Sequence, residues 1–229
     1  MFRTLAVPLK FGIPFTFYKH LTIQVCISTG GYPIVPADIP GASYGITNDG
    51  FFALDVLPKK IAVVGAGYIA VEMAGMLNAV GVEVHMFIRG TTFLRTFDPM
   101  IQNTMTKRYE DVGVIIHKGY QGFASVESIG VEGGEKLLRL TEKNGDVMEF
   151  GELLWAVGRA PETASLKLDV AGVNLGSKGH IAVDKFQNTS AEGIYALGDV
   201  TGQLELTPGL FPSWISFHSL PPYHCLNAS

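Results

Sequence analysis

Between Ile61 and Gly90 the chain reads IAVVGAGYIAVEMAGMLNAVGVEVHMFIRG, and few architectures accept that pattern. An apolar run from Ile61 to Val64 meets Gly65 and Gly67, a helix-forming stretch follows from Tyr68 to about Val80, and a second apolar run spans Val82 to Ile88. These runs read as buried parallel strands joined by a helical crossover, the βαβ unit of a doubly wound sheet. Gly65 and Gly67 fall where the first strand turns into the helix. The backbone can therefore turn tightly and leave room for a pyrophosphate at the helix amino end, facing its amides and dipole. Ala70 takes the third small position and lets the helix pack close to the strand. A glycine-rich turn alone is common; set between two such strands, it predicts a dinucleotide site.

The carboxyl end of the second strand selects the cofactor. An acid there would hydrogen-bond both hydroxyls of an adenosine ribose and repel a 2′-phosphate. This chain offers Arg89, followed by Arg95. Guanidiniums reaching a dianionic phosphate make charge-assisted, bidentate contacts, which favours NADPH over NADH. Glu83 is the competing acid, but it opens the strand and several strand residues follow it. The plainer reading makes Arg89 and Arg95 solvated surface charges, and comparing NADPH with NADH affinity separates the two.

Elsewhere, LTIQVCIS from Leu21 reads as a buried strand that makes Cys26 a core thiol, and it stops at Thr29, Gly30 and Gly31. A loop from Tyr32 to Gly50 follows, where Pro33, Pro36 and Pro40 oppose regular pairing and mark a domain crossover. A helix is predicted over Pro99 to Asp111, with the strand VGVIIH starting at Val112. KLLRL near Lys136 and DVMEF near Asp146 suggest an antiparallel meander, ELLWAVG from Glu152 returns as a buried strand, and GIYALGD ends a further strand in Asp199. The predicted fold is α/β: a Rossmann-like, three-layer domain with a parallel sheet plus β-meander, inserted in a second, partial domain. Residues 209–229 have no period and contain three prolines, so they are expected to be poorly ordered.

With 17 Lys+Arg against 21 Asp+Glu, the net charge of -4 gives no electrostatic case for nucleic acid or anionic lipid. No apolar run is long enough to predict a membrane-spanning helix. Cys26 and Cys225 are too far apart for a local redox pair and too few for a secreted disulfide framework, so a reducing, cytoplasmic setting is expected. Residues 1–37 lack acids and carry Arg3, Lys10 and Lys19, which loosely resembles a mitochondrial presequence, although Pro8 and Pro14 interrupt any amphipathic helix. A mitochondrial location is the alternative.

STGGYP at Ser28, IPGASYGITNDGFF at Ile39, VVGAGYIAVEMAG at Val63, IRGTTFLRTFD at Ile88, LLWAVGRAPET at Leu153, FQNTSAEGIYALGDV at Phe186 and LELTP at Leu204 occur in this order. Together they resemble the glutathione reductases, flavoproteins of the class I pyridine nucleotide-disulfide oxidoreductases, over about Leu21 to Pro208. The resemblance implies an NADPH domain inserted in an FAD domain. The expected divisions are a divergent segment over 1–20, partial FAD domain over 21–53, NADPH-binding domain over 54–160, partial FAD domain over 161–208, and divergent tail over 209–229. By the same resemblance, Tyr68 covers the nicotinamide pocket, Ala66 and Ile69 give backbone contacts, and Gly158 and Arg159 belong to a loop over NADPH. Glu72 matches an acid that pairs with a lysine near the flavin; its plainer reading is a helix-dipole acid of the first turn. Thr29 and Gly30 match the turn beside the FAD pyrophosphate, Asp199 the acid on the ribityl chain, and Thr207 a contact to the isoalloxazine. The plainer reading of Asp199 is a turn initiator.

In that family a hydride passes from NADPH to FAD, electrons pass to a cysteine pair, and that pair reduces glutathione disulfide in a homodimer with a histidine as acid and base. The sequence matches neither the family's first flavin-binding glycine turn, nor its cysteine pair, nor its dimerisation domain. His218, His224 and Cys225 match nothing in the family, and no catalytic or metal-binding residue is assigned. The expectation is a glutathione-reductase-like flavoprotein truncated at both ends. Two alternatives stand beside it: a non-catalytic NADPH-binding module, and another flavoprotein reductase acting on lipoamide or trypanothione. Lipoamide dehydrogenase uses NAD, which Arg89 and Arg95 oppose.

Overall fold

The computed structural model describes residues 24–132 and 135–203, which divide into a unit that is central in sequence, Pro33–Arg159, and a unit from the flanking segments. In chain order the elements are β1 (Val25–Ile27), β2 (Gly31–Pro33), α1 (Asn48–Phe51), β3 (Lys60–Val64), α2 (Tyr68–Ala79), β4 (Glu83–Ile88) and α3 (Pro99–Asp111). They continue with β5 (Ile115–Lys118), β6 (Phe123–Glu132), β7 (Glu135–Glu142), β8 (Val147–Phe150), β9 (Glu152–Trp155), β10 (Arg159–Pro161), α4 (Leu168–Ala171) and β11 (Ile194–Ala196).

The central unit has three layers. Its parallel sheet runs in the order β5-β4-β3-β9, and an antiparallel meander, β6-β7-β8, covers one face. Alternation along β3 sets the layers: Ile61 and Val63 face a core with Val71, Met73, Ala74 and Leu77 of α2, whereas Ala62 and Val64 face Phe123, Val126, Leu138, Leu140 and Phe150 of the meander. Burying such aliphatic side chains stabilises by about 1.5–3 kcal/mol each. Asp98 caps α3 by accepting from the Met100 amide at 2.8 Å, and Pro99 occupies the first helical position, where its missing N–H costs nothing. The Tyr109 hydroxyl of α3 donates to the Val71 carbonyl of α2 at 2.6 Å, fixing the two helices together.

Because β4 and β9 flank β3 on opposite sides, strand order reverses beside β3, and a crevice opens at its carboxyl end. The unit begins at Pro33, ahead of residue 54, because Ile46 bridges β9: its amide donates to Leu153 at 2.7 Å and its carbonyl accepts from Trp155 at 2.8 Å.

In the flanking unit β1 pairs in parallel with β11, Val25 opposite Ile194 and Ile27 opposite Ala196, over a small core of Leu166, Leu168, Val173, Ile181 and Val200. Cys26 is exposed, not buried: β1 alternates, and the face carrying the thiol is uncovered among the described residues, although neighbouring atoms still desolvate it enough to raise its pKa. Pro33 does take part in a strand, closing β2, which pairs with β10. Residues 112–114 finish the turn after α3, with the Val112 and Val114 amides donating back to Arg108 and Tyr109, so the strand starts only at Ile115. The segments 1–23 and 209–229 lie outside the described residues, and so do Thr207, His218, His224 and Cys225.

Candidate nucleotide-binding site

One cavity of about 380 Å³ opens at the carboxyl end of β3, and Gly65, Ala66, Gly67, Tyr68, Arg89, Arg95 and Gly158 all line it. Gly65 sits at φ +144, and a Cβ there would stand 2.2 Å from the Ala156 carbonyl oxygen, so the close approach of this turn to the end of β9 requires glycine. Gly67 differs: a Cβ on it would meet nothing within 4 Å, leaving its face open to the cavity. Gly67 is also the N-cap of α2, with no side-chain cap and no acid in the first turn. Glycine at the N-cap places no side chain of its own over the amino end of α2, so the positive end of the dipole is open to an anion.

Arg89 follows the last residue of β4, and Arg95 reaches the same rim because the intervening loop folds back. The Leu94 amide donates to the Ala66 carbonyl at 2.8 Å, with Leu94 itself at φ 52. A left-handed conformation costs a leucine about 1–2 kcal/mol. Burial of its side chain in the core under α2 offsets that cost. Gln102 of α3 clamps the loop from the other side: its amide donates to the Phe97 carbonyl at 2.8 Å, and its side-chain oxygen accepts from the Thr92 hydroxyl at 3.0 Å. The Phe93 amide donates to Thr106 at 3.0 Å. The Arg95 chain then passes Gly90, where a Cβ would lie 3.7 Å from its Cδ. Both guanidiniums are exposed, and neither forms an ion pair among the described residues.

Glu83, the competing acid, is at the opposite end of β4. It is committed to His85 at 2.9 Å and Lys60 at 3.2 Å, which hold its carboxyl below the usual range. Ile69, Glu72 and Arg159 do not line the cavity. Ile69 packs against the core, Arg159 begins β10, and Glu72 is exposed. The first turn of α2 contains no acid, so the first-turn dipole reading of Glu72 fails: it stands just past that turn. Sequence reasoning missed Lys143 of the meander and Asp38, which line the cavity, and Gln102, which holds the loop behind it. Tyr120 also lines the cavity; burial drives its phenol far above the ordinary range, while the Arg89 charge acts in the opposite sense.

In the flanking unit, Thr29 and Gly30 follow β1 while Asp199 follows β11, so all three stand at the carboxyl ends of a parallel pair. The Thr29 hydroxyl donates to the Glu162 carbonyl at 2.7 Å, which leaves its backbone for other partners. Asp199 lies in a 3₁₀ turn and its carbonyl accepts from Gly202 at 3.0 Å, as a turn initiator would. Its half-buried carboxylate has no partner among the described residues.

The pattern of the pyridine nucleotide-disulphide oxidoreductases matches residues 19–210, and the chain belongs to that family. Glutathione reductase of Schizosaccharomyces pombe is 46% identical over 184 residues, covering 80% of this chain and 39% of the yeast protein. Glutathione reductase of Yarrowia lipolytica is 43% identical over 187 residues, 81% of this chain and 39% of its own length. The chain thus spans about 39% of the length of these relatives. Among solved structures, the HOCl-induced flavoprotein disulfide reductase RclA of Escherichia coli is 30% identical with a TM-score of 0.77, over 86% of this chain and 45% of that one. LpdA of Mycobacterium tuberculosis is 28% identical with a TM-score of 0.74, over 86% and 42%. The fold is that of the flavoprotein disulfide reductases.

Proposed function

We propose that this chain is the NADPH-binding part of a flavoprotein that reduces glutathione disulfide, with the central unit as the nucleotide domain inserted in a flavin domain. The observation that carries the reading is the placement of Arg89 and Arg95, neither ion-paired among the described residues, beside the uncapped amino end of α2 on one cavity. The amides of α2 take the pyrophosphate, Gly67 gives it room, and the guanidiniums hold the 2′-phosphate. Tyr68 and Gly158 stand on the same lining, where the nicotinamide half would run. Thr29, Gly30 and Asp199, whose carboxylate has no partner among the described residues, would hold an FAD, with Asp199 accepting from its hydroxyls. When bound, the nicotinamide supplies a hydride and the flavin a two-electron relay. The setting proposed is cytoplasmic.

The test is to measure NADPH and NADH dissociation constants for the full chain and for Arg89→Glu. Preference for NADPH in the unaltered protein, lost in the variant, is the expected result; equal affinities in the unaltered protein would remove the reading. Flavin absorbance after purification, and NADPH-driven reduction of glutathione disulfide, test the remainder.

A second reading, in which the isolated chain binds NADPH without turnover, is favoured by Cys26. Among the described residues it is the sole cysteine, and desolvation raises its pKa, which disfavours the thiolate that attacks disulfides. Turnover by the purified chain decides against this reading.

A further inference from the structure

We propose that Lys143 is a third cation of the 2′-phosphate clamp and a determinant of NADPH specificity; this rests on the NADPH reading above. Lys143 lies far from Arg89 and Arg95 in sequence, in the turn between β7 and β8, yet it lines the same cavity. A ladder of backbone hydrogen bonds brings it there. The Tyr120 amide donates to Ile88 at 3.0 Å and the Gly119 amide to Gly90 at 3.3 Å, which lays the segment after β5 along the end of β4. The Lys143 amide then donates to the Gly122 carbonyl at 3.0 Å, adding the meander turn to the same rim.

The lysine chain crosses bare backbone at Gly122: a Cβ there would lie 3.3 Å from its Cε and 3.4 Å from its Nζ. Gly122 has φ +115, so the position both needs glycine and gives the lysine its path.

Among the described residues no carboxylate pairs with the ammonium. Its neighbour Asp146 accepts from the Asn144 amide group at 2.8 Å. Among the described residues the cavity lining therefore carries Arg89, Arg95 and Lys143 against the single carboxylate of Asp38, an excess of positive charge. Keeping like charges together on one rim is unfavourable unless an anion joins them, and a dianionic phosphate does so with charge-assisted hydrogen bonds. A ribose without that phosphate offers Lys143 no such partner, so the lysine discriminates between the two cofactors.

The experiment measures dissociation constants of NADPH, NADH, 2′,5′-ADP and 5′-ADP by calorimetry for the full chain, for Lys143→Gln and for Lys143→Arg. Lys143→Gln is expected to weaken NADPH and 2′,5′-ADP by about three- to tenfold, as for a partly solvated charge contact. NADH and 5′-ADP should stay within about twofold, and Lys143→Arg should retain the preference, because the charge is kept. If the unaltered protein prefers NADPH but Lys143→Gln binds it equally well, the lysine plays no part and the NADPH reading survives. An equal loss on all the ligands would put the lysine on the shared pyrophosphate end and overturn its role in specificity. An unaltered protein that holds NADH as tightly as NADPH would overturn both the lysine and the reading beneath it.

Discussion

Gly65 and Gly67 share one turn but answer to different demands. At Gly65 the backbone sits at φ +144, and an added Cβ would stand 2.2 Å from the Ala156 oxygen, so any side chain forces β3 and β9 apart. Gly65→Ala is predicted to cost about 2–5 kcal/mol of stability, from backbone strain together with overpacking, read as a shift in the urea midpoint. Gly67 has φ −83 and ψ 179, which any residue adopts, and open space where its Cβ would be. Gly67→Ala should therefore change stability by less than about 1 kcal/mol. Its nucleotide affinity should nevertheless drop by about tenfold, about 1.4 kcal/mol, because the methyl group occupies the approach of the pyrophosphate. Unchanged affinity in Gly67→Ala would mean that no phosphate comes to this turn.

At the scale of the element, β4 holds a charge at each end and uses them differently. Past its carboxyl end, Arg89 faces the cavity, and the loop that follows owes its shape to Gln102. Gln102→Ala removes the bond to Phe97 and the acceptor of Thr92, so Arg95 is no longer held on the rim. NADPH affinity should weaken about three- to tenfold while NADH affinity is nearly unchanged, since only the clamp is disturbed. Equal weakening of the two would assign Gln102 to general stability.

At the amino end of β4, Glu83 accepts from His85 at 2.9 Å, and the other ring nitrogen of His85 pairs with His117 of β5, also at 2.9 Å. Burial holds both imidazoles below their ordinary pKa; for His85 the Glu83 carboxylate opposes this, while for His117 the His85 and Lys60 charges reinforce it. The folded chain then binds fewer protons than the unfolded chain below about pH 6.5. Their contribution to stability is present above that pH and is lost as pH falls through the depressed folded values. Glu142, raised by burial, acts in the opposite sense at lower pH, so a variant is needed to isolate the pair. His117→Phe keeps the stacking on Phe87 and removes one titrating ring. Urea unfolding between about pH 7 and pH 5 should show a smaller decline in the variant than in the unaltered chain.

At the scale of the whole molecule, the parts legible in sequence are those that local chemistry dictates. β3, α2 and β4 could be read because buried parallel strands are apolar throughout and the glycine turn announces where the helix begins. β6 could not, because register shifts between Phe123 and Ser125 and between Ser128 and Gly130 break its alternation. Cys26 misled because apolar neighbours hide the outward half of a strand's period. Arg89 and Arg95 were legible from their position after a strand, whereas Lys143 and Gln102 reach the rim only through tertiary hydrogen bonds that no spacing encodes.

Residues 33–159 contain both large cores, on the two faces of the parallel sheet, together with every described residue that lines the cavity. Among the described residues nothing in those cores belongs to the flanking segments, so the excised unit should fold alone. Trp155 is its sole tryptophan, buried at the end of β9 with its indole N–H donating to the Ala42 carbonyl at 2.8 Å, and it lines the cavity. Its fluorescence therefore reports unfolding and nucleotide binding from one site. The excised unit is expected to unfold in a single cooperative urea transition and to bind 2′,5′-ADP within about twofold of the full chain. A broad, non-cooperative transition would show that the unit depends on its flanking segments, and cooperative unfolding with lost affinity would show that the site is completed outside residues 33–159.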